Sequence, residues 1–372
     1  MLENRRHRVI ATLTAPAYRR AGFGKPARYR TVTLACVLGA LISCGNVGSP
    51  YLAGDRNVRN ELSSLFEAVS ESTSQEHRFV ANQRIMALYR QAGRVIEEVL
   101  YLTSYVESFP DDQFNAYYLL LVAEYYKAEG AFPFALHYYE RIVKNHLDLL
   151  LDERHSVHKI CLTNLIELVT EPEIRVGYYK EILSRFADEI DRGRMAFELA
   201  ETYEQLGEWE LAMQFYKEYL NYPESPIPGR LNAREEVRQL VTLYHMPNKN
   251  WMFEELEDLI AGIQRAIWAR NPRYLNDLRS KVGFFAKAWE DDETTATGTI
   301  FSDLGDYLKG PIHVPGILDH DSNDREAYLM TNGWGFRIPK WYLYFRRLDF
   351  PADPAIHGQW EWAGIYLGEK PY

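Results

Sequence analysis

The densest group of titratable side chains that includes histidine is the stretch HVPGILDHDSNDRE, with His313, Asp319, His320, Asp321 and Asp324. Acid–base catalysis needs a His or carboxylate held in a cleft with a displaced pKa. Here the group lies among Gly, Pro, Asn and Asp, the composition of an exposed loop. Asp319, Asp321 and Asn323 have the alternation of a calcium loop, but Asp324 stands where the chain needs Gly and Met330 where the bidentate Glu belongs. The stretch therefore reads as a turn. Three cysteines, Cys36, Cys44 and Cys161, form no C-x-x-C pair and no zinc-spaced set with His. Cys161 reads as a small core residue of a helix. Neither a metal site, a cofactor nor an enzymatic centre is expected.

The elements that frame these residues begin with an address. Arg5, Arg6, Arg8, Arg19, Arg20, Arg28 and Arg30 precede the apolar run TVTLACVLGALIS, Thr31 to Ser43. That order, cationic then apolar then small, is that of a secretory signal, and the run is shorter than the ~20 residues of a bilayer crossing. It ends in Leu41-Ile42-Ser43-Cys44-Gly45, which resembles the lipobox of bacterial lipoprotein precursors. The resemblance implies that residues 1–43 are removed and that Cys44 becomes a lipidated N-terminus, its acyl chains holding the protein to a membrane of the cell envelope. Residues 44–54, rich in Gly, then form a tether. Removal of 1–43 leaves 34 basic against 51 acidic residues, a balance of −17. So acidic a chain repels nucleic acid and favours neutral or basic partners.

The span 55–250 reads as helical repeats. Ala123, Tyr126, Gly130, Ala135, Tyr139 and Ile142 are matched 77 residues later by Ala200, Tyr203, Gly207, Ala212, Tyr216 and Tyr219. Tyr89 and Gly93 stand 37 residues before Tyr126 and Gly130, and a degenerate copy places Ile166, Tyr179 and Ile182 40 residues after Tyr126, Tyr139 and Ile142. Ala123 and Tyr126 share one helix face, Gly130 allows a tight turn, and Ala135 lets a second helix come close. This pattern resembles the tetratricopeptide repeat, most closely in AFELAETYEQLGEWELAMQFYKEYLNYP, Ala196 to Pro223. The periods exceed the family's 34 residues, and Thr170-Glu171-Pro172-Glu173 replaces the glycine turn in the third copy. Val58, Leu62, Leu65, Phe66 and Val69 predict a capping helix before the repeats, and Leu231 to Tyr244 predicts one after them.

The resemblance implies a concave surface lined by the first helix of each pair. The residues expected to face that groove are Arg90, Tyr117, Glu124, Lys127, Arg194, Phe197, Glu201 and Glu204, and their charge is mixed to acidic.

From residue 251 to 372 the periodicity changes. Helices are predicted at Phe253 to Ala269 and Pro272 to Ser280, and a further one at Ile300 to Leu308. Alternating segments predict strands near Val282 to Trp289, at Glu326 to Thr331, at Trp341 to Arg347 and at Trp360 to Leu367, the last two an antiparallel pair. This order resembles the nuclear-transport-factor-like α+β cone, in which a curved antiparallel sheet encloses a pocket. A fragment from about residue 255 to Tyr372 is expected to fold by itself. The fold class expected is thus mainly α, a repeat solenoid followed by an α+β domain. The function expected is an envelope lipoprotein whose groove binds a protein or peptide. The alternative is a substrate-binding component that holds an apolar or aromatic small molecule in the C-terminal pocket and docks to a transporter.

Overall fold

The computed structural model describes residues 51–52, 54–152, 154–288 and 303–370. The expected signal, Cys36, Cys44 and nearly all of the tether lie outside the described residues, as do Trp289 and the first residues of the helix expected at 300. The chain is mainly helical with a small C-terminal mixed sheet, and it divides into two compact units, Met1–Glu189 and Ile190–Tyr372.

Unit 1 holds α1 (Arg56–Glu71), α2 (Gln75–Gln91), α3 (Val95–Ser108), α4 (Asn115–Ala128), α5 (Phe132–Asn145), a two-stranded ribbon of β1 (Leu150–Leu151) and β2 (His155–Ser156), α6 (Val157–Leu168) and α7 (Pro172–Phe186). Asp55 and Ser74 cap the first two helices, accepting from the amides of Val58 and His77. The turns of the first two pairs share one device. Gly93 and Gly130 adopt φ of +67° and +72°, and the residue after each donates its amide to the carbonyl of Tyr89 or Tyr126. This is a Schellman closure. A Cβ at either glycine would meet open space, so the backbone angle and not crowding demands glycine. Where glycine is missing, between α6 and α7, Pro172 starts the next helix and the Arg175 guanidinium donates to the Val169 carbonyl at 2.6 and 2.9 Å. A side chain there satisfies what a left-handed residue satisfies elsewhere.

The small residues fix how closely helices approach. Ala123, Ala135, Tyr139 and Ile142 are fully buried between α4 and α5, as is Ala212 in unit 2. Replacing Ala135 or Ala212 with Leu is therefore expected to destabilise its unit by ~1–3 kcal/mol through overpacking. Thermal unfolding of the two variants checks this, and unchanged midpoints for both would contradict close helix approach at these positions.

Two buried polar groups knit unit 1. The Arg78 guanidinium donates to the Tyr105 hydroxyl and to Asp112, and the Tyr105 hydroxyl donates to Asp112 at 2.6 Å. On the ribbon side, Arg185 Nη2 lies 2.5 Å from His158 Nδ1. A guanidinium only donates, so Nδ1 accepts and Nε2–H donates to the His146 carbonyl at 3.0 Å. Burial, with Arg185 adding, holds the His158 pKa below its usual 6.5 against the pull of Asp148 and Glu181; burial, then Arg141 and His158, lowers His146 too. Below pH 6.5 the unfolded chain takes protons on these residues that the native chain refuses. Their contribution is complete above that pH and is lost as pH falls. Urea unfolding between pH 8 and 5.5 is expected to show unit 1 weakening on the acid side, with a flatter dependence in His158→Gln; equal slopes for the two proteins would refute this.

Unit 2 opens with α8 (Arg192–Gln205) and α9 (Trp209–Leu220), where Gly207 at φ +73° closes onto Tyr203 as in unit 1. Then come α10 (Ala233–His245), α11 (Leu256–Trp268), α12 (Pro272–Leu278), β3 (Phe285–Ala288), β4 (Glu326–Thr331), β5 (Trp341–Arg347) and β6 (Trp360–Leu367). The sheet order is β3-β6-β5-β4. β4, β5 and β6 are antiparallel neighbours, with a register shift between Tyr344 and Phe345, whereas β3 runs parallel to β6. The sheet is therefore mixed where an antiparallel one was expected. Residues 304–307, expected as part of a helix, form a single 3-10 turn. Leu259, Ile263 and Ala266 of α11 pack with Leu343, Phe345, Trp362 and Ile365 of the sheet. A second cluster joins Leu243, Trp251 and Met252 to Val282, Leu348, Phe350 and Ile356.

Candidate functional site

The eight residues expected to line a groove divide between the units. In unit 1, Tyr117 is buried against Phe79 and Tyr118 and does not reach solvent as a groove residue would. Arg90 is exposed, but its guanidinium forks onto Glu98 at 2.6 and 2.9 Å. Glu98 is buried, which raises its carboxyl pKa, and Arg90 opposes that rise. Glu124 accepts from the Tyr139 hydroxyl at 2.8 Å, and Lys127 donates to Asn164 at 2.6 Å and Glu167 at 2.8 Å. These two therefore tie α4 to α5 and α6.

In unit 2, Arg194 pairs with Glu198 one turn along α8 at 2.6 Å. Phe197 is buried edge-on to Tyr216 and Tyr219, with the Arg230 guanidinium 5.1 Å above its ring. Arg230 also donates to Glu201 at 2.8 Å and Glu236 at 2.7 Å. Burial raises the carboxyl pKa of both Glu201 and Glu204; Arg230 offsets part of it at Glu201, and Tyr216 and Arg230 offset part at Glu204. The structure gathers Phe197, Glu201 and Glu204 around Arg230 and Tyr216, and leaves Arg194 apart. All eight thus have partners within their own unit, or are core. Unit 1 also offers large apolar side chains outward: Ile96 and Leu100 on one face of α3, Val80 on α2, Phe132 and Phe134 on α5, and Ile174 on α7 are all exposed. Their signal in the sequence was apolar type at positions outside the repeat pattern.

The loop that could have done chemistry is a turn. Asp319 Oδ1 accepts from the Asp321 amide, and Asn323 Oδ1 accepts from the amides of Arg325 and Glu326 as β4 begins. The carboxylates of Asp319 and Asp321, which with His320 have the spacing of metal ligands, are paired by the Lys370 ammonium. His313 joins Asn332 through backbone bonds at 2.8 and 3.1 Å. Cys161 is buried on α6, and burial raises its thiol pKa, so it stays protonated.

No protein-family model and no curated protein matches this chain.

Proposed function

We propose that the protein is a lipid-anchored scaffold of the bacterial cell envelope, with helix pairs of the tetratricopeptide type that dock a neutral or basic protein or peptide. The observation that carries the reading is the recurrence of one turn. Tyr89 with Gly93, Tyr126 with Gly130 and Tyr203 with Gly207 close by the same bond, the last two beside fully buried alanines. Stacked pairs of this kind present long surfaces, and the exposed Ile96 and Leu100 supply apolar contact area on one of them. The acidic balance argues against nucleic acid as a partner in this reading. Lipidation rests on Leu41-Ile42-Ser43-Cys44 after a cationic, apolar lead. The cone-like reading of the C-terminal sheet rests on element order, with β3 as its exception.

Two measurements test the proposal. Mass spectrometry of protein isolated from its cell membrane is expected to show a chain beginning at an acylated Cys44; an unmodified Cys44 refutes the anchor. Cross-linking in intact envelope should give specific protein adducts that Ile96→Glu with Leu100→Glu removes while helical content is unchanged. Adducts indifferent to that change refute this surface.

A further inference from the structure

An open cleft of about 350 Å³ lies in unit 2 between the C-terminal end of α11 and residues 308–314. Its floor is apolar, from Ile267, Ile312 and Val314, and its rim holds Trp268 and Arg270. The volume falls within the range of small-ligand sites, roughly 300–1,000 Å³.

Three independent features single it out. First, Trp268 is 90 % exposed, although Trp is highly buried on average. Second, α11 ends with the Schellman closure used at Gly93, Gly130 and Gly207, but the left-handed position is Arg270 at φ +47°. A side chain in that conformation is strained, and such strain concentrates at ligand sites. Third, the segments 264–273 and 308–317 contain Arg265, Arg270, Arg273 and Lys309 and no Asp or Glu, in a chain of 52 acidic against 42 basic residues. All four cations are exposed, and Arg270 lines the cleft itself. The wall is also held in place. A side chain at Gly310 would collide with the Gly333 carbonyl, His313 is bonded to Asn332, and Gln264 donates to the Val314 carbonyl at 3.4 Å.

We propose that this cleft binds a small anion bearing a flat aromatic ring, the ring lying on the Trp268 indole and the anionic group meeting the Arg270 guanidinium. An indole face favours stacking with a flat ring, and a guanidinium recognises carboxylate or phosphate through paired N–H donors. The site is separate from the scaffold surface in unit 1, so either proposal can fail alone.

Calorimetric titration of the full mature chain tests it with three probes: adenosine 5′-monophosphate, indole-3-acetate and inorganic phosphate. Saturable one-to-one binding of at least one ring-bearing anion is expected, at least tenfold tighter than phosphate. The nucleotide and the carboxylate distinguish the two sources of that chemistry. Trp268→Ala should weaken binding tenfold or more. Arg270→Gly should weaken it similarly while leaving the thermal midpoint equal or higher, because glycine suits the left-handed position. Binding that survives Trp268→Ala, or none by either ring-bearing probe, overturns the proposal. Sedimentation with vesicles of three parts phosphatidylcholine to one part phosphatidylglycerol, if lost in Trp268→Ala while neither ring-bearing probe binds, would overturn it in favour of a membrane contact.

Discussion

Asp112→Ala is expected to destabilise unit 1 by about 3–5 kcal/mol, the cost of leaving a buried charge without its partner. The Asp112 side chain is fully buried and that of Arg78 is 10 % exposed. Removing the carboxylate strands the guanidinium, which burial alone disfavours as a cation and which its bonds to Tyr105 and Asp112 sustain. It also takes the acceptor from the Tyr105 hydroxyl and from the Phe114 amide that starts α4. The group joins α2, α3 and the α3–α4 connection, so its loss is felt across three elements. The thermal midpoint of unit 1 should fall by roughly 10 °C or more. Arg78→Met combined with Asp112→Leu should recover part of the loss, because both charges then leave together. A single variant within 1 kcal/mol of the parent, on the order of a surface pair, would show that the ion pair contributes little.

The second large effect concerns where unit 2 can be cut. A fragment of residues 190–372 is expected to unfold cooperatively, whereas one of residues 255–372, which its periodicity alone suggested would fold by itself, is expected to lack fixed tertiary structure because its core draws on residues before 255. The shorter fragment loses Trp251, 1 % exposed, whose indole N–H donates to Glu361 at 3.1 Å. Glu361 is 2 % exposed, and its other oxygen accepts from Arg346 at 2.7 Å. It also loses Leu243 and Met252 from the second core cluster and the paired backbone bonds of Phe253 with Trp360. A buried Trp→Ala change alone costs ~3–5 kcal/mol, so Trp251→Ala in the full chain should show much of the same loss. Near-ultraviolet circular dichroism and urea unfolding of both fragments decide it; a cooperative transition in the shorter one would show that the sheet and α11 suffice.

The strands at Glu326–Thr331, Trp341–Arg347 and Trp360–Leu367 were legible because strand-forming aromatic and aliphatic residues are written in short consecutive runs. So was the turn at Gly130, since the left-handed angle it needs is a property of that residue alone. The parallel pairing of β3 had no such signal, because a strand alternates in the same way whichever direction its neighbour runs. Tyr117 was expected in a groove and is core for a related reason. α4 buries Tyr117, Tyr118, Leu119 and Leu120 in succession, so no polar face marks which side is outward. The exposure of Trp268 was equally invisible, since a Trp at a helix end reads as core until its neighbours are known.

By itself the amino-acid sequence determined the acidic balance and the cationic and apolar lead before Cys44, which are properties of composition, and most helix and strand positions and the glycine turns, which follow from steric and hydrogen-bonding limits acting within a few residues. Only the tertiary structure decided that Arg78 meets Asp112 across 34 positions, that Trp251 meets Glu361 across 110, and that Arg230 gathers Glu201 and Phe197. A partner so distant is chosen by whole-unit packing, where a buried charge or indole N–H must find the complement that the folded chain brings to it.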